Sequence, residues 1–175
     1  MTTLSELGTR ELTWQFPRKE NEAFELRADG EEFGRLRFDD ASGVRAIGEL
    51  EGRRWVFQHT GGTHPHVIVF KEDSASPVAE FVPRLTGGGT VSFASGARYC
   101  WNRAKIWSTQ WCFRREGETS SVCVSQQAGA LTEGGKVNVC GKAAHLPETA
   151  ILVLLAWYLR VLAFETLIET IPTVG

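Results

Sequence analysis

From Ala150 to Leu159 the chain runs Ala-Ile-Leu-Val-Leu-Leu-Ala-Trp-Tyr-Leu, and Val-Leu-Ala-Phe resumes after the single charge of Arg160. A surface helix shows a polar face, and this segment shows none. A helix that is apolar all round belongs in a protein core or in a membrane. Pro147 suits a first helical position and Glu148 complements the helix dipole beside it, so the helix is expected over about 147–169. Its unbroken apolar stretch of ten residues is short of the roughly 20 that cross a bilayer. Extending it to Ile168 places Arg160 inside the span, at a cost of roughly 2.5–3.5 kcal/mol. A tail anchor is the competing reading. The core reading asks the rest of the chain to supply a wall.

Short alternating runs supply it. Leu12, Trp14 and Phe16 alternate with polar neighbours, as do Leu36 and Phe38, and Val44, Ala46, Gly48 and Leu50. Further runs lie at Phe24–Leu26, Trp55–Phe57, His66–Phe70, Val78–Val82, Thr90–Phe93, Arg98–Trp101, Trp111–Phe113, Val122–Val124 and Val137–Val139. That makes about twelve strands, separated by turn material such as Ala28-Asp29-Gly30, Gly61-Gly62 and Gly87-Gly88-Gly89. An eight-stranded barrel is filled by its own side chains, and diameter grows with strand number. About twelve strands leave room for a helix of roughly 10–12 Å diameter. The fold class expected is mainly β (α+β): a closed barrel of about twelve antiparallel strands around a C-terminal hydrophobic helix. Residues 1–11 form an N-terminal tail in this reading, and residues 12–170 a single domain.

Two segments repeat one another. Trp55-Val56-Phe57 and Trp111-Cys112-Phe113 are preceded by Ala41-Ser42-Gly43 and Ala94-Ser95-Gly96, and Gly61 and Gly117 follow them. The offset of roughly 55 residues is too long, with too few copies, for a solenoid and suggests two similar halves. One hairpin can be placed in register. A Gly117-Glu118 loop of type II′ pairs Trp111 with Val124, Cys112 with Cys123 and Phe113 with Val122, putting the four apolar residues on one face and the cysteines on the other. Trp55, Phe57, Trp111 and Phe113 are expected to point inward against the helix. Arg160 is expected at a barrel mouth, its stem among apolar groups and its guanidinium reaching outward.

The architecture resembles the tubby C-terminal-like superfamily, which includes the phospholipid scramblases and the LURP-one-related proteins. The likeness covers about Leu12 to Phe164 and rests on the strand count, the repeat around Trp55-Val56-Phe57 and Trp111-Cys112-Phe113, and the helix at Ala150–Phe164. It implies a caged-helix barrel and, for some members, binding of phosphoinositide headgroups through surface basic residues.

Basic and acidic residues nearly balance, 19 against 21, so no global field draws in nucleic acid. The N-terminal stretch has no apolar h-region, so no cleaved signal is expected, and the cytosol, with contact at membrane surfaces, is the expected compartment. Cys100, Cys112, Cys123 and Cys140 lack zinc-site spacing and are expected as free thiols, although Cys112 and Cys123 would face each other across the hairpin. No D-x-D-x-D-G calcium loop, G-x-S-x-G elbow or phosphate-binding loop occurs, so no catalytic residue and no cofactor is expected. His59, His64 and His66 cluster around the Gly61-Gly62 turn as weak candidates for a metal. Arg53, Arg54, Arg114 and Arg115 are the first candidates for a lipid-headgroup site, with Arg35, Arg37, Arg103 and Lys105 in the same candidate rim. The sequence therefore points to a non-catalytic binding or scaffold module whose partner is an anionic phospholipid headgroup or a protein. A small-ligand carrier or an enzyme with a pocket at the barrel end is the alternative from another class.

Overall fold

All twelve strands form, and the sheet closes. The computed structural model describes residues 2–8, 10–19, 22–39, 44–61, 65–126 and 134–170, with the backbone alone for 164–170. After a short helix α1 (Leu4–Leu7) come β1 (Leu12–Gln15), β2 (Phe24–Ala28), β3 (Glu31–Phe38), β4 (Arg45–Leu50), β5 (Arg53–Thr60) and β6 (His66–Lys71). They are followed by β7 (Pro77–Pro83), β8 (Gly89–Phe93), β9 (Arg98–Arg103), β10 (Gln110–Arg115), β11 (Ser120–Gln126) and β12 (Gly135–Val139). Each strand pairs antiparallel with its chain neighbours, and β1 closes the ring on β12 through Leu12 opposite Val137. A single 3₁₀ turn at Ala143–His145 leads into α2 (Thr149–Thr170).

The period-two pattern decides which side faces in. In β5, Trp55 and Phe57 are buried while Arg54 and Gln58 are exposed. Outward charges are matched across strands: Arg54 reaches Glu49 at 3.1 Å and Glu72 at 3.2 Å, and Lys136 reaches Glu11 at 3.1 Å. A wall apolar inside and charged outside is the reverse of the lipid-facing pattern of membrane barrels. Among the described residues, no helix is long and apolar enough to cross a membrane.

The inward apolar surface closes on α2. From Thr149 to Tyr158 no residue is more than 6% exposed. Trp157 stacks on Trp14 of β1 with centroids 5.7 Å apart, and Tyr158 stacks on Phe38 of β3 at 5.5 Å. The Tyr158 hydroxyl donates to the Val44 carbonyl at 2.5 Å. Close approach of the helix needs two strand positions without a side chain. A Cβ on Gly48 would lie 2.9 Å from Leu154 and Phe57, and one on Gly135 would lie 2.7 Å from Trp157.

Strand direction gives the barrel two unlike ends. Connections after even-numbered strands, such as Asp29-Gly30 and Glu51-Gly52, lie where α2 enters, and those after odd-numbered strands lie where it leaves. Within the first eleven residues, α1 carries a capping box from Thr3 and Glu6 and buries Leu4 and Leu7 at the entry end, with the Leu4 amide donating to Glu51 at 2.6 Å.

Four sequence expectations need correction or refinement. The helix starts at Thr149 rather than at Pro147, because the chain first makes the 3₁₀ turn; the Thr149 hydroxyl donates to the Ala143 carbonyl, and Leu152 makes its backbone bond to Glu148. The hairpin pairs Trp111 with Val124, Cys112 with Cys123 and Phe113 with Val122 as expected. Its turn, however, centres on Glu116-Gly117: the Glu118 amide bonds the Arg115 carbonyl, and Gly117 takes the left-handed conformation at φ +77°. A bulge after Phe113 absorbs the offset, pairing Arg114 with Ser120, so the core register survives. Cys112 and Cys123 are joined by a disulfide rather than being free, because their opposed positions bring the Cα atoms to 4.1 Å; Cys100 and Cys140 remain thiols. Finally, the repeated segments do not mark two similar halves of the ring. They occupy β5 and β10, five strands apart, so the two copies run in opposite directions. Trp55 thereby sits toward the helix-entry end and Trp111 toward the exit.

Candidate functional site

At the exit end, where α2 rises between the loops, the barrel mouth opens into a cleft of about 330 Å³. Its floor and walls are Val67, Phe81, Trp101, Leu159 and neighbouring apolar groups, and its polar lining consists of His59, His66, Arg84 and Arg160. Among the described residues, no carboxylate lines it. Small-molecule sites of about 300–1,000 Å³ combine an apolar body with a few polar anchors in this way. A larger cleft of about 400 Å³ lies at the entry end beside α1, and charges around it are matched, Arg35 with Glu32 at 2.6 Å and Arg10 with Asp29 at 3.3 Å.

Arg160 is the anchor of the mouth, where the sequence places it. Half-buried at the end of the caged part of α2, it donates from Nη2 to the Gln126 side-chain oxygen at 3.0 Å. Its Nε is buried without a hydrogen-bond partner among the described residues. Its guanidinium lies over the Trp111 ring, 5.5 Å from the centroid, and that of Arg103 lies over the same ring at 5.3 Å. Trp111 in turn stacks on Trp101 at 5.6 Å. Burial, then the like charge of Arg103, holds Arg160 below its ordinary pKa.

The histidines lie on adjacent strands in opposite phases, His59 opposite the inward Val67 and His66 opposite Thr60. His66 Nδ1 pairs with the Thr60 hydroxyl at 2.9 Å, and its Nε2 lies 3.8 Å from Glu80. Burial, then His66, lowers the pKa of His59. His64 lies outside the described residues. Among those described, no three metal-ligating side chains converge.

The four arginines singled out from the sequence all lie toward the entry end, on two separate walls, because β5 and β10 are five strands apart in a ring of twelve. Arg53 is paired with Glu51 at 2.8 Å, and Arg54, raised in pKa first by its hydrogen bond to Glu49, sits between that residue and Glu72. Arg114 and Arg115 end β10. Arg103 and Lys105, from the same candidate rim, lie at the exit end instead. There, two adjacent loops carry side chains the alternation does not account for. Leu85 in the β7–β8 connection, and Ile106 and Trp107 in the β9–β10 connection, are 109%, 86% and 82% exposed. The signal in the sequence is Lys105-Ile106-Trp107, two consecutive apolar residues in a polar loop, which a period-two alternation does not produce.

Of the residues expected to face inward, Trp55, Phe57 and Phe113 are buried, and Trp111 is partly buried against the core at the mouth. The chain matches no protein-family model, and no curated protein or solved structure matches it.

Proposed function

We propose that this chain is a tubby-like barrel acting as a non-catalytic binding module that docks its helix-exit end on anionic membrane lipid. The closed ring of twelve strands around a C-terminal helix supports the superfamily resemblance. The docking rests on one observation: Leu85, Ile106 and Trp107 project at neighbouring loop tips among Arg84, Arg103 and Lys105. None of these three cations has a carboxylate partner among the described residues. Arg84 turns to Asn102 and Arg103 donates to the Ile106 carbonyl at 3.0 Å.

The two kinds of side chain do different work. Each large apolar group contributes about 1.5–3 kcal/mol when fully transferred out of water, and a tryptophan suits the bilayer interface. Each basic residue near an anionic surface contributes about 1 kcal/mol. The apolar tips therefore set the strength of docking. Three cations set a preference for anionic over neutral lipid of roughly a hundredfold. The Arg53 and Arg54 wall, neutralised by Glu49, Glu51 and Glu72, offers no comparable net charge.

The test is co-sedimentation with phosphatidylcholine vesicles, with and without phosphatidylserine. Binding is expected to be roughly a hundredfold tighter with the anionic lipid, and weaker in high salt. Trp107→Ser and Lys105→Gln should each reduce it, while the Arg53→Gln/Arg54→Gln pair should not. Equal binding to phosphatidylcholine alone, or indifference to Trp107→Ser, overturns the reading.

A further inference from the structure

We infer that the exit-end cleft is a binding site for one amphipathic anion, with its oxyanion head on Arg160 and Arg103 beside Trp111 and its apolar tail along the cleft toward Phe81 and Leu159. The inference stands on the cleft itself and does not need a bilayer.

Three observations carry it. The cleft is of small-molecule size and its walls are apolar, so water held there makes few hydrogen bonds and an alkyl chain displaces it favourably. The two guanidiniums approach the same indole ring, and among the described residues each finds only a neutral acceptor: Gln126 for Arg160 and the Ile106 carbonyl for Arg103. Neither has an acid among the described residues, whereas Arg54 on the outer wall has two. Lastly, the Arg160 Nε is buried with no acceptor among the described residues.

A snorkelling arginine explains the buried stem but not that last atom. Snorkelling leaves the charged head in water, while here one N–H of the fork is buried and unpaired among the described residues. Desolvating a charge without a counter-ion is unfavourable, and two like charges beside one ring add to it. A bound oxyanion relieves both. The planar guanidinium fork matches a carboxylate or phosphate with two parallel hydrogen bonds. The shared chemistry is an alkyl chain ending in an oxyanion, supplied either as a free acid or monoalkyl phosphate or as the headgroup of a bilayer lipid.

The experiment uses the full chain, with binding followed by calorimetry and by tryptophan fluorescence, to which Trp101 and Trp111 at the cleft contribute. The probes are decanoate and decyl phosphate, each below its aggregation concentration, with 1-decanol and decyltrimethylammonium as matched tails. Saturable one-to-one binding is expected for the two anions, weaker binding for the alcohol and none for the cation. Arg160→Met keeps the apolar stem and should weaken the anions by roughly ten- to a hundredfold, as expected for loss of a charged hydrogen bond. Arg103→Gln changes an exposed side chain and tests the same charge should Arg160→Met fail to fold. Trp107→Ser should leave decanoate binding unchanged while weakening vesicle binding, and Arg160→Met should do the reverse, so failure of one proposal is distinguishable from failure of the other. Equal binding of decyltrimethylammonium, indifference to both arginine substitutions, or binding of the anions only within vesicles overturns the inference.

Discussion

Truncating Trp157 tests the caged helix most directly. The residue is 1% exposed, stacks on Trp14, and has Phe16 and Phe24 edge-on at 5.9 Å each. Trp157→Ala removes the hub of that cluster, and aromatic truncations in cores cost about 3–5 kcal/mol. The closed ring favours the upper half of that range. Every strand is hydrogen-bonded on both sides, so the wall cannot fall inward to fill the void. One effect runs the other way: the Trp157 indole N–H is buried without a partner among the described residues, and deleting it returns about 1 kcal/mol. The net loss is then about 3–4 kcal/mol, or about 6–16 °C in Tm at this chain length. Trp157→Phe keeps an aromatic ring on Trp14 and also deletes the unpaired N–H, so it should cost only about 1 kcal/mol. Urea unfolding followed by circular dichroism, with m unchanged, measures both. An alanine variant within about 0.5 kcal/mol of the parent would mean α2 is not enclosed. A phenylalanine variant as unstable as the alanine one would refute the balance drawn here between ring packing and the buried N–H.

Two other expectations concern the mouth and its flank. The Cys112–Cys123 bond spans a separation of 11 residues, and Cys112→Ser/Cys123→Ser should cost roughly 2–3 kcal/mol by loop-closure entropy; thiol titration under denaturing conditions should find two free groups in the oxidised protein and four after reduction. Because His59 is lowered in the fold from its ordinary 6.5, the unfolded chain binds its proton first as pH falls, so the His59 contribution to stability is full above about 6.5 and is lost below it. His59→Gln should flatten the stability profile as pH falls below about 6.5, and an unchanged slope would remove the assignment.

How much of this was legible beforehand differs by element. The twelve strands were visible because apolar/polar alternation is a local, period-two signal, and Leu36 with Phe38 or Val122 with Val124 needs no distant partner to be read. The opposition of Cys112 to Cys123 was legible for the same reason, since a hairpin register is set by its own few residues. That the pair is oxidised was not, because bond formation depends on the separation of two backbones. The helix was visible as a run with no polar face, and Arg160 as the charge that ends it. The mouth was only half legible. Arg103 and Lys105 stood in the candidate rim, yet Arg53, Arg54, Arg114 and Arg115 ranked above them as doublets, and doublets say nothing about neighbouring acids.

What the sequence alone determined is the set of local faces: which residues of each strand turn inward, and that one helix has nowhere to show water a polar side. Those follow from the periods of strand and helix and from the cost of exposing apolar surface. What the tertiary structure decided is which faces meet and at which end. A five-strand offset reverses direction in an antiparallel ring, so two nearly identical Trp-x-Phe segments finish at opposite mouths, one beside Arg53 and Glu51 and the other beside Arg103 and Arg160. Closure also sets Glu49 and Glu72 on either side of Arg54 and leaves the exit-end cations without acids among the described residues. Charge balance at a site is a sum over residues far apart in the chain, and only closing the ring performs that sum.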